Sequence, residues 1–256
     1  MSMNTETHEA VTFDTIAVAE NGWAIDILDQ TFLPHDHVIR RLTKAMDGGE
    51  AISAMRVRGA PLIGVTAAYT MALAMNENAG NKNLIAAAEI LHNSRPTAVN
   101  LAWSVDQMLE LLLPLESSAR CKAAYQRANE MAGEDIATNL AIGEHGLAVL
   151  EEIKKKKKKE CEPINVLTHC NAGALATVGW GTATAPIYLA HRRGLKLHVW
   201  VDETRPRNQG ASLTAWELSR NNVPHTVIPD NVGGHLMQNG KVDICITGSD
   251  RTTLNG

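Results

Sequence analysis

The chain has 256 residues, 45% of them hydrophobic, 20% charged and 4% aromatic, with a formal net charge of -4. That length accommodates one large domain or two modest ones with a sizeable core. The mild negative charge and scarce aromatics argue against nucleic acid or an acidic membrane surface as a partner. The opening MSMNTETHEA lacks the basic and apolar regions of a signal peptide, and no apolar run is long enough to span a bilayer. The four cysteines (Cys121, Cys161, Cys170 and Cys245) have no CxxC spacing, so the expectation is a cytoplasmic protein with reduced thiols.

From the N-terminus, Thr15–Ala19 and Gly22–Ile27 flank the turn-prone Glu20-Asn21 and predict a small hairpin. A loop over Asp29–Pro34 follows. Residues 36–46 have helical spacing (Val38, Leu42, Ala45, Met46) and are predicted to stop at Gly48-Gly49. Val57-Arg58-Gly59-Ala60-Pro61 precedes an Ala-rich helix over Leu62–Met75; Gly59 permits close backbone approach and Pro61 suits a first helical turn. An arginine just before a helix N-terminus suits phosphate, and it equally suits a solvated turn. A helix over 83–92 leads to a second Arg-before-Pro turn, Ser94-Arg95-Pro96-Thr97, read as a helix start. Ala98–Leu113 and Ala119–Leu150 read as helices, the second broken near Gly133. The six lysines at 154–159, flanked by Glu151, Glu152, Glu160 and Glu162, read as the exposed, frayed end of a helix and then a linker.

Beyond the lysines the pattern becomes alternating strand and helix. Strands are predicted at Ile164–Thr168, Leu195–Val201, His225–Ile228 and Val242–Thr247, with helices at about 174–192, 211–221 and 232–238, the rhythm of βαβ units. The fold expected is α/β: a mainly helical N-terminal domain with a small antiparallel sheet over 1–135, then a Rossmann-like parallel-sheet domain over 136–256. The chain ends a few residues past the fourth strand, and this second domain is expected to be incomplete. Each strand ends in polar residues: His169-Cys170-Asn171, then Asp202 to Gly210, then Asp230-Asn231, then Gly248 to Thr253. Strand carboxyl ends are where open α/β sheets bind ligands. Cys170 is predicted at a strand end beside the N-terminus of a helix opened by Gly173, a setting that stabilises a thiolate. His169 beside it invites a Cys/His pair or a zinc site, but adjacent strand side chains face opposite ways and no second ligand pair stands at metal spacing, so no metal is expected.

VRGAPLIG (57–64), SRPTAVNL (94–101), LTHCNAG (167–173), DETRPRNQG (202–210) and GSDRTTLNG (248–256) together closely resemble the methylthioribose-1-phosphate isomerase family. That family shares a superfamily with the regulatory subunits of translation initiation factor 2B. The resemblance implies Cys170 and Asp250 as the catalytic pair. It implies Arg58, Gly59, Ala60, Arg95 and Gln209 as substrate-binding residues. It further implies a sugar-phosphate substrate, no cofactor, a homodimer, and no nucleic-acid or membrane partner. The family has an Asn-Lys pair soon after the DRTT block, and this sequence ends before reaching it. A related isomerase of ribose 1,5-bisphosphate or 5-deoxyribose 1-phosphate, and a non-catalytic initiation-factor-like subunit, are the alternatives; the Cys in THCNAG and the Asp in GSD favour the isomerase branch.

Overall fold

A computed structural model of the chain describes residues 13–157, 161–249 and 253–255. It divides into two compact units. The N-terminal unit comprises Asp14–Ile136 together with Ala176–Val178. The other holds Phe13, Ala137–Leu175 and the described residues from Gly179 onward.

The N-terminal unit opens with β1 (Ile16–Val18), β2 (Ile25–Leu28) and β3 (Ile39–Leu42), an antiparallel sheet in the order β1-β2-β3. The predicted helix over 36–46 is therefore a strand. Its arginines pair across the sheet, Arg41 with Asp26 in two 2.8 Å contacts and Arg40 with the buried Asp29 at 3.0 Å. Helix α1 (Ala45–Ser53) begins after this strand and runs straight through Gly48-Gly49 instead of stopping there. Asp47 accepts the backbone N–H groups of Thr43 and Lys44 at the start of this helix. The two glycines serve close helix packing: a Cβ on Gly49 would lie 2.6 Å from Ile90, and one on Gly48 would strike Thr70.

Helix α2 (Ala60–Glu77) is apolar all round and buried from Leu62 to Met75, as a central helix must be. Helices α3 (Asn81–Ser94), α1 and α4 (Val99–Leu112) contribute to the same core through Ile52, Leu84, Leu91, Leu101, Val105 and Met108. Helix α5 (Ser117–Lys156) is unbroken at Gly133 and supplies residues to both units. Arg127 spans that position, its Nη1 2.7 Å from Glu134 Oε1. The lysine run begins within α5. Lys157, which the sequence reading left solvated, pairs with Asp243 at 2.6 Å and is mostly covered; residues 158–160 lie outside the described residues.

The second unit is built on a parallel sheet in the order β6-β5-β4-β7, from β4 (Ile164–Thr168), β5 (Leu197–Asp202), β6 (His225–Ile228) and β7 (Ile244–Cys245). Between them lie α6 (Ala185–Arg192), α7 (Ala215–Arg220) and α8 (Val232–Gln238). The predicted helix over 174–192 is only a 3-10 turn at Ala174–Ala176, followed by irregular chain up to α6. A π-helical turn over Gly210–Thr214 precedes α7. The chain steps outward from β4 through β5 to β6, then returns to place β7 on the other side of β4. That reversal makes the carboxyl end of β4 a topological switch point, where the flanking connections diverge and leave a crevice.

Candidate active site

Cys170 stands two residues past the end of β4, at this switch point. Its φ is +60°, a left-handed conformation that costs a non-glycine residue about 1–2 kcal/mol. Two hydroxyls hold it. The Cys170 N–H donates to Thr204 Oγ1 at 2.8 Å, and the Cys170 carbonyl accepts from Thr214 Oγ1 at 2.7 Å. Thr204 is itself left-handed, at φ +65°, and its N–H donates to Asp230 Oδ1 at 2.7 Å. The Arg205 N–H donates to the other Asp230 oxygen at 2.8 Å. These two N–H groups, Arg205 first, hold the Asp230 carboxyl below its ordinary pKa. The tips of β4, β5 and β6 are thus tied into one hydrogen-bonded rim. The anticipated helix N-terminus beside the thiol is not there, since the next α-helix begins only at Ala185. The backbone clamp is what defines the Cys170 environment.

The His169 ring meets Asp202, with Nδ1 and Oδ2 3.0 Å apart. Asp202 is buried, and burial pushes its carboxyl up, with the neighbouring Asp230 adding to the effect and His169 opposing it. Its Oδ1 has no hydrogen-bond partner among the described residues. His169, Asp202 and Asp230 offer ligand atoms all within 4.8 Å of one another, and they are the group here that could hold a cation. Asp230 already spends both oxygens on backbone N–H groups, so that set is internally satisfied in large part.

The DETRPRNQG block folds back onto the tip of β5. Gly210 packs so tightly on the Asp202 carbonyl that a Cβ would collide with it. Gln209, half-buried, immediately precedes the π-helical turn. The GSD block reaches the thiol loop as well: a Cβ on Gly248 would lie 2.6 Å from the Ala172 Cβ. Asp250 itself lies outside the described residues.

The other implied substrate-binding residues belong to the N-terminal unit. Gly59 caps α2 at φ +89°, and a Cβ there would lie 2.5 Å from Ala176 backbone atoms, so only glycine serves. Arg58 immediately precedes it, and Ala60 is the first residue of α2. Arg95 is not at a helix start; it is the C-cap of α3, and its Nη1 is buried with no hydrogen-bond partner among the described residues. Asn171 and Thr204 lie inside the strand-end blocks without an assigned role, and Thr214 and Glu217 lie outside them. The available signal was an acid, Glu217, set among the apolar positions of a predicted helix.

A helical unit with a small antiparallel sheet, followed by a parallel sheet whose carboxyl edge carries a strained thiol and a rim of carboxylates, defines a two-unit α/β protein with a Rossmann-type ligand edge. The profile of the Initiation factor 2 subunit family matches residues 56–256. The chain belongs to that family. It is 57% identical over 244 residues to the methylthioribose-1-phosphate isomerases of Rhizobium meliloti and of Paramagnetospirillum magneticum, covering 95% of this chain and 67% of each relative. Among solved structures, the 5-methylthioribose 1-phosphate isomerase of Pyrococcus horikoshii superposes with a TM-score of 0.87 at 34% identity, covering 100% of this chain and 71% of that one. Subunit delta of the initiation factor eIF-2B from A. fulgidus superposes with a TM-score of 0.81 at 35% identity, covering 94% of this chain and 69% of that one.

Proposed function

We propose that the chain is an aldose-ketose isomerase that converts 5-methylthioribose 1-phosphate into 5-methylthioribulose 1-phosphate, a step of methionine salvage. The observation that carries this reading is the 57% identity, over 95% of the chain, to relatives bearing that isomerase name. The likeness to an initiation-factor subunit at 35% identity supports the second reading, a binding subunit without turnover.

The chemistry explains the residue types. Phosphate on the anomeric oxygen prevents the sugar from opening spontaneously. The ring oxygen must gain a proton as its bond to C1 breaks. A hydrogen must move from C2 to C1, and the C2 hydroxyl must lose its proton as the ketone forms. The redox change is internal, so no external oxidant is consumed. Asp250 is assigned the proton transfer to the ring oxygen, a role that requires a carboxyl kept protonated near neutrality. Cys170, rigidly clamped at a switch point, is assigned to the C2 hydrogen or to the charge developing there. Arg58 and Arg95 are assigned the phosphate, which guanidinium groups hold through paired hydrogen bonds. The orphan Nη1 of Arg95 supports that role. Gly59, Ala60 and Gln209 are assigned further substrate contacts.

Two domains over 1–135 and 136–256, a cytoplasmic homodimer and the absence of a nucleic-acid or membrane partner complete the reading. Assay of the full-length protein with 5-methylthioribose 1-phosphate, ribose 1,5-bisphosphate and 5-deoxyribose 1-phosphate tests it. Turnover of the first is expected, with Cys170→Ser and Asp250→Asn each lowering kcat by about a hundredfold or more. Wild-type turnover in both variants removes the catalytic assignment, and no turnover of any sugar phosphate by the parent leaves the binding-subunit reading.

A further inference from the structure

We infer that Glu217 is a positioning residue for Cys170, acting through Asn171 and Thr214. Glu217 lies in α7 and is wholly buried. Its Oε1 accepts from Asn171 Nδ2 at 3.0 Å, and its Oε2 accepts the N–H of Leu175 at 3.1 Å. Both donors come from the loop that carries the thiol. Gly173, in the same loop, lies against this carboxylate so closely that any Cβ would strike it.

The direction of each hydrogen bond follows from Glu217. In its ionised form the Glu217 carboxyl only accepts, and it then turns the Asn171 amide to present its NH2. That same nitrogen donates to Thr214 Oγ1 at 3.1 Å. A hydroxyl that accepts there directs its single proton elsewhere, and the Cys170 carbonyl is 2.7 Å away. Glu217 therefore fixes the polarity of a buried relay that ends on the backbone of Cys170, which is held left-handed. Glutamine at 217 offers an amide that can donate, allowing Asn171 to flip, Thr214 to donate to Asn171, and the Cys170 carbonyl to lose its donor.

The test compares Glu217→Gln, Thr214→Val and Thr214→Ser in the full-length protein. One readout is steady-state kinetics, which rests on the isomerase reading. The other is the iodoacetamide alkylation rate of each cysteine by peptide mapping, which does not. Glu217→Gln and Thr214→Val are expected to lower kcat by about tenfold or more, with KM within about threefold. Alkylation of Cys170 is expected to rise by about threefold as the clamp loosens, while Cys121 reacts at its wild-type rate. Thr214→Ser, which keeps the hydroxyl, is expected to restore both readouts. A folded Glu217→Gln or Thr214→Val protein with wild-type Cys170 alkylation overturns the assignment, as does a Thr214→Ser protein that behaves like the valine variant. If the parent turns over no sugar phosphate, the isomerase reading fails and alkylation still decides the positioning role. If no variant folds, a crystal structure of the unsubstituted protein decides: Cys170 at negative φ, or Thr214 Oγ1 beyond about 3.5 Å from the Cys170 carbonyl, rejects the relay.

Discussion

Asp29 has a fully buried carboxylate that accepts from Thr31 Oγ1 at 2.6 Å, Arg56 Nη1 at 2.8 Å and Arg40 Nε at 3.0 Å. Burial alone would raise its pKa, but the Thr31, Arg40 and Arg56 hydrogen bonds outweigh burial and hold it below the ordinary value. A carboxyl depressed in the folded state contributes stability that is complete above its unfolded pKa of about 3.9 and lost as pH falls through the folded value. Asp29→Asn should therefore cost about 2 kcal/mol at pH 7, below the full price of a broken buried pair because both arginines are partly solvated. Urea unfolding should show the deficit shrinking below about pH 4. Arg95→Ala should raise KM for the sugar phosphate about tenfold to a hundredfold through loss of charge-assisted hydrogen bonds, with kcat little changed; an unchanged KM in initial-rate assays removes Arg95 from the phosphate site. At this scale Cys170 was readable as a candidate through its strand-end position and the LTHCNAG block around it. Thr204, Thr214 and Glu217 were not, because a threonine or glutamate acquires its meaning only from the partner that tertiary folding brings.

Strands β4 and β6 and helix α8 appear at the residues the sequence pattern predicts. Two of the failures, at residues 39–42 and at Gly48-Gly49, come from competition between a local pattern and a distant partner. Residues 39–42 mimic helical spacing, yet Asp26 and Asp29 on earlier segments capture Arg41 and Arg40 and make a strand. Gly48-Gly49 reads locally as a stop, but neighbouring helices need the space. β7 was expected to run over Val242–Thr247, and only Ile244–Cys245 join the ladder, paired with β4 alone among the described residues. Gly133 was expected to break α5 and does not. It is exposed, and a Cβ there would meet nothing within 4 Å. Gly133→Ala should therefore stabilise the protein by about 0.5–1 kcal/mol, since alanine loses less backbone entropy in a helix than glycine. A raised Tm in thermal unfolding checks this, and a lowered Tm would mean the helix is not continuous there.

The whole molecule answers to the proposed reaction in two measurable ways. Because hydrogen moves within one sugar, turnover should need no added nicotinamide, and because the proposed reading assigns no metal, exhaustive dialysis against EDTA should leave turnover of the full-length enzyme within about twofold of the untreated value. Loss of turnover that a divalent metal restores would instead point to the His169, Asp202 and Asp230 group. Sedimentation should give twice the chain mass if the homodimer exists. The α/β class, the succession of four parallel strands and the polar strand ends were all encoded in residue order, because burial periodicity and turn chemistry are properties of neighbouring residues. Which side of β4 the last strand takes was not. That choice depends on contacts such as Asp243 with Asn165, 78 positions apart in the chain, and it is what makes the end of β4 a topological switch point. The left-handed clamp on Cys170 has the same origin: its two hydroxyls arrive from segments 34 and 44 positions away, and no local preference of a cysteine would place it there.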